Sequence, residues 1–152
     1  MECYKKTYND KVYDNIDRKT MNKIAFKIIG VPVPKGRPRF FRMGKGVGTY
    51  TPDKTRTWED CVRLQAIQSR PQKPWEGPIV MTLTFLMPRP KSLPKKVVHH
   101  IKKPDTDNLA KATVDSLKGL FFKDDSQIVT LNLEKKYAQG ECGVEVKMEE
   151  IE

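Results

Sequence analysis

The sequence predicts a single α/β domain in which a mixed β-sheet packs against helices. Two observations support this prediction. Apolar residues alternate in several separate stretches, most clearly from Ile79 to Met87, as expected of half-buried strands. Between these stretches lie two segments with helical spacing of apolar residues, beginning near Pro52 and near Asn108. A chain of 152 residues is long enough to bury one core, and no internal repeat or interdomain linker divides it.

The N-terminal part of the chain divides into an extension and the start of the domain. Residues 1–22 are polar and have no clear periodicity, so we predict a flexible extension, followed by a domain over residues 23–152. Alternation predicts a first strand from Ile24 to Ile29. Residues 35–48 are too rich in Gly and Pro for a regular element and too basic to be buried, so we expect a loop there.

Periodicity and cap residues also predict the elements that follow this loop. Thr51 is a typical N-cap and Pro52 a typical first residue of a helix. The predicted elements are a helix from Thr51 to about Ser69, a strand over 79–87, a short strand over 97–103, a helix from Asn108 with Gly119 as its cap, and a hairpin of strands over 127–137 and 144–148.

The charge distribution favours a polyanionic partner. The net charge is +10 and the isoelectric point is near 9.5. Residues 30–73 contain ten Lys and Arg against three acidic residues, and residues 88–118 contain eight against three. Residues 134–152 have the opposite balance, three against six. The positive charge is therefore concentrated in two segments, as a nucleic-acid enzyme requires.

Cysteine usage and hydropathy exclude several other classes of protein. The three cysteines, Cys3, Cys61 and Cys142, are odd in number and form no close pair. This pattern argues against a disulfide framework and against a structural zinc site, and it fits a reducing cytoplasm. No apolar run approaches the length of a membrane span. We therefore expect a cytoplasmic protein with no membrane partner and no small-molecule cofactor.

An acidic cluster lies at the start of the second predicted helix. Asp105 and Asp107 are two residues apart where an extended segment enters the helix, so both could reach a common point. Lys111 lies one turn beyond Asp107 on the same helix face. The chain turns after Gly119 and could bring Asp125 back towards these carboxylates. Such hard oxygen ligands suit Mg²⁺ or Mn²⁺. The alternative is a well-capped helix followed by an ordinary acidic turn.

The basic segment 35–48 is a candidate for DNA contact. Arg and Lys bind phosphates, whereas an exposed Phe can stack on a base. The alternative is a solvated loop with one Phe in the core. The residues assigned to DNA binding, including two lysines beside the acidic cluster, are Lys35, Arg37, Arg39, Phe40, Arg42, Lys45, Lys102 and Lys103.

Several of these motifs together resemble the RusA-type Holliday-junction resolvases. They are KPDTDNLAK at 103–111, VDSL at 114–117, KDDSQIV at 123–129, PKGRPRF at 34–40 and YTP at 50–52. The resemblance covers about residues 24 to 148, and the combination of the two acidic motifs is specific, whereas either motif alone would be weak.

The resemblance implies a RusA-like fold and a metal-dependent endonuclease. By motif match, Asp105, Asp107 and Asp125 would hold Mg²⁺, with Mn²⁺ also suitable, and Lys111 would be needed for cleavage. The enzyme would act as a homodimer that nicks four-way DNA junctions in recombination and repair. Some family members have a basic residue directly before the first Asp, where this chain has Pro104.

Two other functions remain open at this level. A junction- or DNA-binding protein without catalysis would need only the basic segments. A nuclease of the same chemistry could act on flaps or forks instead of four-way junctions. The intact acidic cluster argues against the first alternative, because a DNA binder gains little from negative charge beside phosphate.

Overall fold

The computed structural model describes residues 19–152. Residues 1–18 of the predicted flexible extension lie outside the described residues. The first strand, β1, spans Thr20–Ile29 and begins four residues before the predicted start. The side chain of Asn22 donates a hydrogen bond to Glu150 at 2.7 Å. Residues 20–22 therefore belong to the sheet and not to the extension.

The central feature is a mixed four-stranded sheet, which confirms the predicted fold class. Its strands are β1, β4 (Ile79–Met87), β5 (Ile128–Tyr137) and β6 (Gly143–Ile151), in the spatial order β1-β6-β4-β5. β4 and β5 are parallel, because the chain between them crosses the sheet through a helix. The other two pairs are antiparallel. The predicted strand over 79–87 is confirmed at both ends.

Two helices pack against the sheet and against each other. They are α1 (Asp53–Ala66), continued by a short 3₁₀ turn at Ile67–Ser69, and α2 (Thr106–Leu117). α1 contacts β1, and α2 contacts β5. Leu83 and Phe85 at the centre of β4 are completely buried. Burial of such side chains is the main stabilising contribution in a domain of this size. No helix among residues 19–152 is long and apolar enough to span a membrane.

The helix ends lie close to the predicted positions but differ at the start of each helix. Pro52 occupies the N-cap position there, so the expectation that Thr51 caps this helix is wrong. α2 begins at Thr106, two residues before the predicted Asn108, with Asp105 as its N-cap. Its C-cap is Lys118, one residue before the predicted Gly119. Gly119 has a φ of +84°, the left-handed conformation that commonly ends a helix.

The predicted loop over 35–48 contains a β-hairpin, which corrects the sequence-based expectation. β2 (Arg39–Met43) and β3 (Gly46–Tyr50) form a separate two-stranded sheet with an exposed outer surface. A Cβ atom at Gly48 would lie 2.5 Å from the ring of Phe41, so only Gly lets this ring cover the opposite strand. The many Gly residues are therefore part of the hairpin rather than a sign of irregular structure.

The predicted pairing of the last two strands is also wrong. β6 lies between β1 and β4, and β5 forms the far edge of the sheet. The side chains explain this order. β6 buries Val144, Val146 and Met148, whereas β5 carries Glu134 and a pair of lysines that suit an edge strand.

The short strand predicted over 97–103 is absent from the described residues. His99 makes a single bridge to Lys136, and the segment is otherwise irregular. Its shape is maintained by Arg89, whose guanidinium donates hydrogen bonds to the carbonyls of Pro94 at 3.0 Å and Val97 at 2.7 Å. Of the ladder that alternation predicts, only the two backbone hydrogen bonds of the bridge at His99 form in the described residues, His100 N–H to the Lys135 carbonyl and Tyr137 N–H to the Val98 carbonyl.

Candidate active site

The start of α2 presents two carboxylates. Asp105 has extended backbone angles and ends the irregular segment, and its side chain makes no capping bond to the helix. Asp107 lies in the first turn, where the helix dipole favours negative charge. Within residues 19–152, neither carboxylate forms an ion pair or a side-chain hydrogen bond. Both are exposed, so their oxygens remain available to a ligand.

A groove of about 360 Å³ separates α2 from β5 and brings several predicted site residues together. Asp107, Lys111 and Asp115 line its helix side on successive turns. Asp125 lines it from the acidic turn, and the floor is apolar. The structure therefore places Asp107, Lys111 and Asp125, which are up to eighteen positions apart in the chain, around one opening.

Asp105 lines a second cavity, of about 740 Å³, beside this groove. The wall of this cavity is mainly apolar, but it also contains three lysines, Lys35, Lys54 and Lys103. The convergence of Asp105 and Asp107 on a common point stays a prediction. Asp105 shares its cavity with these lysines, whereas Asp107 and Asp125 line the groove.

The two aspartates of the acidic turn have different surroundings. The side chain of Asp124 caps a 3₁₀ helix (Asp125–Gln127) by accepting a hydrogen bond from the Ser126 N–H at 2.9 Å. This bond, reinforced by Lys118 at 3.1 Å, holds the pKa of Asp124 well below its usual range. Asp125 lies 3.8 Å from Lys118 and faces the groove. The geometry therefore gives Asp124 a structural role and leaves Asp125 as the candidate ligand.

Gln127 stabilises the same turn. Its side-chain oxygen accepts hydrogen bonds from the N–H groups of Lys123 and Asp124, each at 2.9 Å. Its side-chain nitrogen donates to the carbonyls of Trp75 at 2.8 Å and Gly77 at 3.1 Å. These bonds fasten the acidic turn to the body of the domain. Sequence reasoning found Gln127 only as part of a motif, since Trp75 and Gly77 lie about fifty residues away in the chain.

The segment that precedes α2 is also held from a distance. The ammonium group of Lys135 on β5 donates hydrogen bonds to the carbonyls of Lys102 and Pro104, each at 2.6 Å. Lys102 and Lys103 themselves are exposed. The two lysines predicted to bind DNA therefore project from a segment whose backbone is anchored to the sheet.

Lys35 differs from the other predicted DNA-binding residues because its ammonium group is engaged within the protein. It pairs with Glu59 on α1 and, at 3.1 Å, with Asp115 on α2. Burial alone would lower the pKa of Lys35, but the hydrogen bonds to these two carboxylates raise it above its usual value. Lys35 is therefore charged at neutral pH, and its charge is already compensated.

The β2–β3 hairpin and Arg37, two residues before it, present the remaining predicted contacts. Arg37, Arg39, Arg42 and Lys45 are exposed. The side chain of Phe40 is 75% exposed, whereas Phe41 packs on Gly48 and approaches Tyr50 at a ring distance of 6.2 Å. The structure thus separates the two phenylalanines that sequence reasoning treated alike. Phe40 is the better candidate to meet a base, because Phe41, at 42% exposed, already packs within the hairpin.

The donor chemistry of the acidic residues fits a hard divalent cation. No group of three His, Cys, Asp or Glu side chains within the described residues is close enough to hold a metal ion as it stands. Mg²⁺ does not require such a cage, because it keeps several waters and is commonly bound by one or two carboxylates together with substrate phosphate. The exposed carboxylates of Asp107 and Asp125 on one groove meet this requirement.

Comparison with known proteins shows the family to which this chain belongs. The family profile described as endodeoxyribonuclease RusA matches residues 30–149, which include the hairpin, α2 and the acidic turn. The chain is also 37% identical over 142 residues to the uncharacterized protein YqaN of Bacillus subtilis (strain 168), covering 86% of this chain and 99% of that protein. The chain belongs to the RusA endodeoxyribonuclease family.

Proposed function

We propose that this protein is a divalent-metal-dependent endodeoxyribonuclease that resolves four-way DNA junctions by paired nicks. The observation that supports the proposal is the groove between α2 and β5, which is lined by Asp107, Lys111 and Asp125 together. Family membership gives the reaction class. Beyond the reaction class, we propose that cleavage depends on a metal ion and that these residues form its site.

Three carboxylates would hold the metal ion: Asp105, Asp107 and Asp125. Mg²⁺ is the ion we propose, and Mn²⁺ would substitute, since both prefer hard oxygen ligands. When bound, such an ion supplies activation of water and neutralises charge on the scissile phosphate. The carboxylates would hold the ion, and they are exposed, so a phosphate could reach it from solvent.

Lys111 would act on the phosphate directly. Within residues 19–152 its ammonium group has no ion-pair partner, and it lies one turn from Asp107 on the same face of α2. A cation held there can stabilise the charge that develops on the phosphate or on the leaving oxygen. α2 holds Lys111 in place, because its neighbours Ala110 and Ala112 are buried against the core.

The DNA would contact the exposed arginines and Lys45 of the hairpin and the lysines before α2, Lys102 and Lys103. Phosphate contacts of this kind supply most of the affinity and make it depend on salt. Lys35 was also assigned to this surface from the sequence, but its ammonium group is paired with Glu59 and Asp115.

Replacing Arg37, Arg39 and Arg42 together by Ala is expected to weaken binding to every DNA substrate and to flatten its salt dependence. Each phosphate contact contributes about 0.9 to the slope of log affinity against log salt concentration for duplex DNA. The slope is measured by fluorescence anisotropy over a range of NaCl concentrations. Equal slopes for the wild type and the triple variant would exclude the hairpin as the DNA contact.

Phe40→Ala is expected to impair junction cleavage more than duplex binding. Loss of one base stack costs roughly 1–3 kcal/mol, and Phe40 is exposed, so its removal should leave the melting temperature unchanged. The matched control is Phe41→Ala, which removes the ring that covers Gly48 and should destabilise the hairpin. Early melting of the Phe40 variant, with loss of both activities, would show that this ring is structural.

Symmetric resolution requires two active sites that cut two strands of like polarity. We therefore propose that the enzyme is a homodimer, as the resemblance implies. Sedimentation of the purified protein with and without a four-way junction tests this point. A single monomer bound to each junction would contradict it.

The function is tested by incubating the purified protein with labelled four-way, flap, fork and linear DNA, with and without Mg²⁺. We expect paired nicks in the four-way junction that depend on the metal. Preferential cleavage of flaps or forks would assign another branched substrate. Tight binding without cleavage in Mg²⁺ and in Mn²⁺ would support a DNA-binding protein and overturn the enzymatic proposal.

A further inference from the structure

Lys35 lies at the centre of an ion-pair cluster that joins three parts of the fold. Its ammonium group pairs with Glu59 and, at 3.1 Å, with Asp115. The side chains of Lys35, Glu59 and Asp115 are 25%, 21% and 31% exposed. Solvent screens ion pairs less as they become buried, so these pairs are stronger than the surface pairs of the protein.

The backbone of Lys35 is hydrogen-bonded to α2, the helix that carries Asp115. Its N–H donates a hydrogen bond to the carbonyl of Asn108 in the first turn of α2, at 3.0 Å. Its side chain reaches Asp115, two turns further along. The next residue, Gly36, donates its N–H to the side chain of Thr55 on α1 at 3.1 Å. The base of the hairpin is therefore fastened to both helices at this point.

Asp115 is the acidic residue of the groove that the proposed metal site does not use. It lines the groove together with Asp107, Lys111 and Asp125. It lies four residues after Lys111, the spacing at which side chains on a helix meet. Without Lys35, the Asp115 carboxylate would be free to pair with Lys111 and would place uncompensated negative charge beside an incoming phosphate.

We propose that Lys35 is a positioning residue that neutralises Asp115 and so keeps Lys111 available to the scissile phosphate. The inference rests on the proposed function of the groove. It predicts that the loss of cleavage activity on substitution of Lys35 is caused by the charge of Asp115. Removing that charge should therefore restore the activity. A direct phosphate contact by Lys35 predicts the opposite, because a second substitution would not restore the lost contact.

The test is a rescue experiment on junction cleavage. Lys35→Met, which retains the length of the side chain, should lower kcat/KM by on the order of tenfold. The double variant Lys35→Met/Asp115→Asn should return to within about threefold of the wild type. The matched control, Lys35→Met/Glu59→Gln, also removes one carboxylate from the cluster but leaves Asp115 charged, so it should stay as impaired as the single variant.

Two results would overturn the inference. Equal impairment of Lys35→Met and Lys35→Met/Asp115→Asn would show that Lys35 acts on DNA or on folding. A several-fold gain of activity in Asp115→Asn alone would show that Asp115 already restrains Lys111 in the wild type. If Lys35→Met does not fold, Lys35→Gln gives the same predictions, because it removes the charge and retains a hydrogen-bond donor.

A second readout does not depend on cleavage. Acylation of Lys111 by an amine-reactive ester, followed by peptide mapping, reports whether its amine is paired. We expect about twofold to threefold slower labelling in Lys35→Met, and the wild-type rate in Lys35→Met/Asp115→Asn. Unchanged labelling in Lys35→Met would contradict the inference. If the labelling pattern is as predicted but the protein cleaves no DNA, the inference about pairing stands and the proposed function is refuted.

Discussion

Asp107→Asn is expected to abolish junction cleavage while junction binding stays intact or becomes tighter. The substitution removes a metal-binding charge at the start of α2 but preserves the shape of the side chain. It also reduces repulsion between the groove and phosphate. We expect cleavage to fall by at least about a hundredfold. The same result is expected for Asp105→Asn and for Asp125→Asn.

The measurement is single-turnover cleavage of a labelled four-way junction in Mg²⁺, with binding measured by anisotropy in Ca²⁺. The matched control is Asp124→Asn. Asn is as good an N-cap as Asp, so this variant should keep the 3₁₀ helix and should keep cleavage. Full cleavage by any one of the three site variants would remove that residue from the site. If Asp124→Asn is inactive in cleavage and Asp125→Asn is active, the assignments of the two residues are reversed.

Lys111→Ala is expected to lower cleavage by about a hundredfold to a thousandfold, the effect of removing a group that stabilises transition-state charge. Its free energy of unfolding should change by less than about 0.5 kcal/mol, because Lys111 is exposed and joins no ion pair within the described residues. Metal affinity, measured by calorimetry, should not fall, since removing a cation near carboxylates favours a second cation.

Lys147→Ala is the matched control for Lys111→Ala. It removes one exposed lysine from β6 and produces the same change in net charge. This variant should cleave at the wild-type rate. A large drop in the melting temperature of Lys111→Ala would assign Lys111 a structural role. Equal loss of cleavage in both variants would assign the effect to overall charge.

The elements with strong local signals could be predicted from the sequence. The strand over 79–87 alternates without interruption, and it forms with both predicted ends. α2 was expected because its apolar residues follow helical spacing, and Asp105 lies at its N-cap. Such patterns are local, since each depends only on residues within one or two turns of one another.

The hairpin and the order of the strands could not be predicted in the same way. Gly and Pro residues suggested a loop over 35–48, but Gly48 is needed there because Phe41 packs onto it. Alternation identified the last two strands without indicating their neighbours. Which strand takes the central position is decided by how much apolar surface each can bury against β4 and the helices.

The sequence by itself determined the fold class, the acidic start of α2, the positive charge around it and the resemblance of its motifs to one nuclease family. Only the tertiary structure decided which charges remain free. It paired Lys35 with Asp115, eighty positions away in the chain, and left Lys111 unpaired among the described residues. It assigned Asp124 to a cap and turned Asp125 to the groove. The physical reason is that electrostatic interactions depend on distance through space, whereas sequence patterns report only distance along the chain.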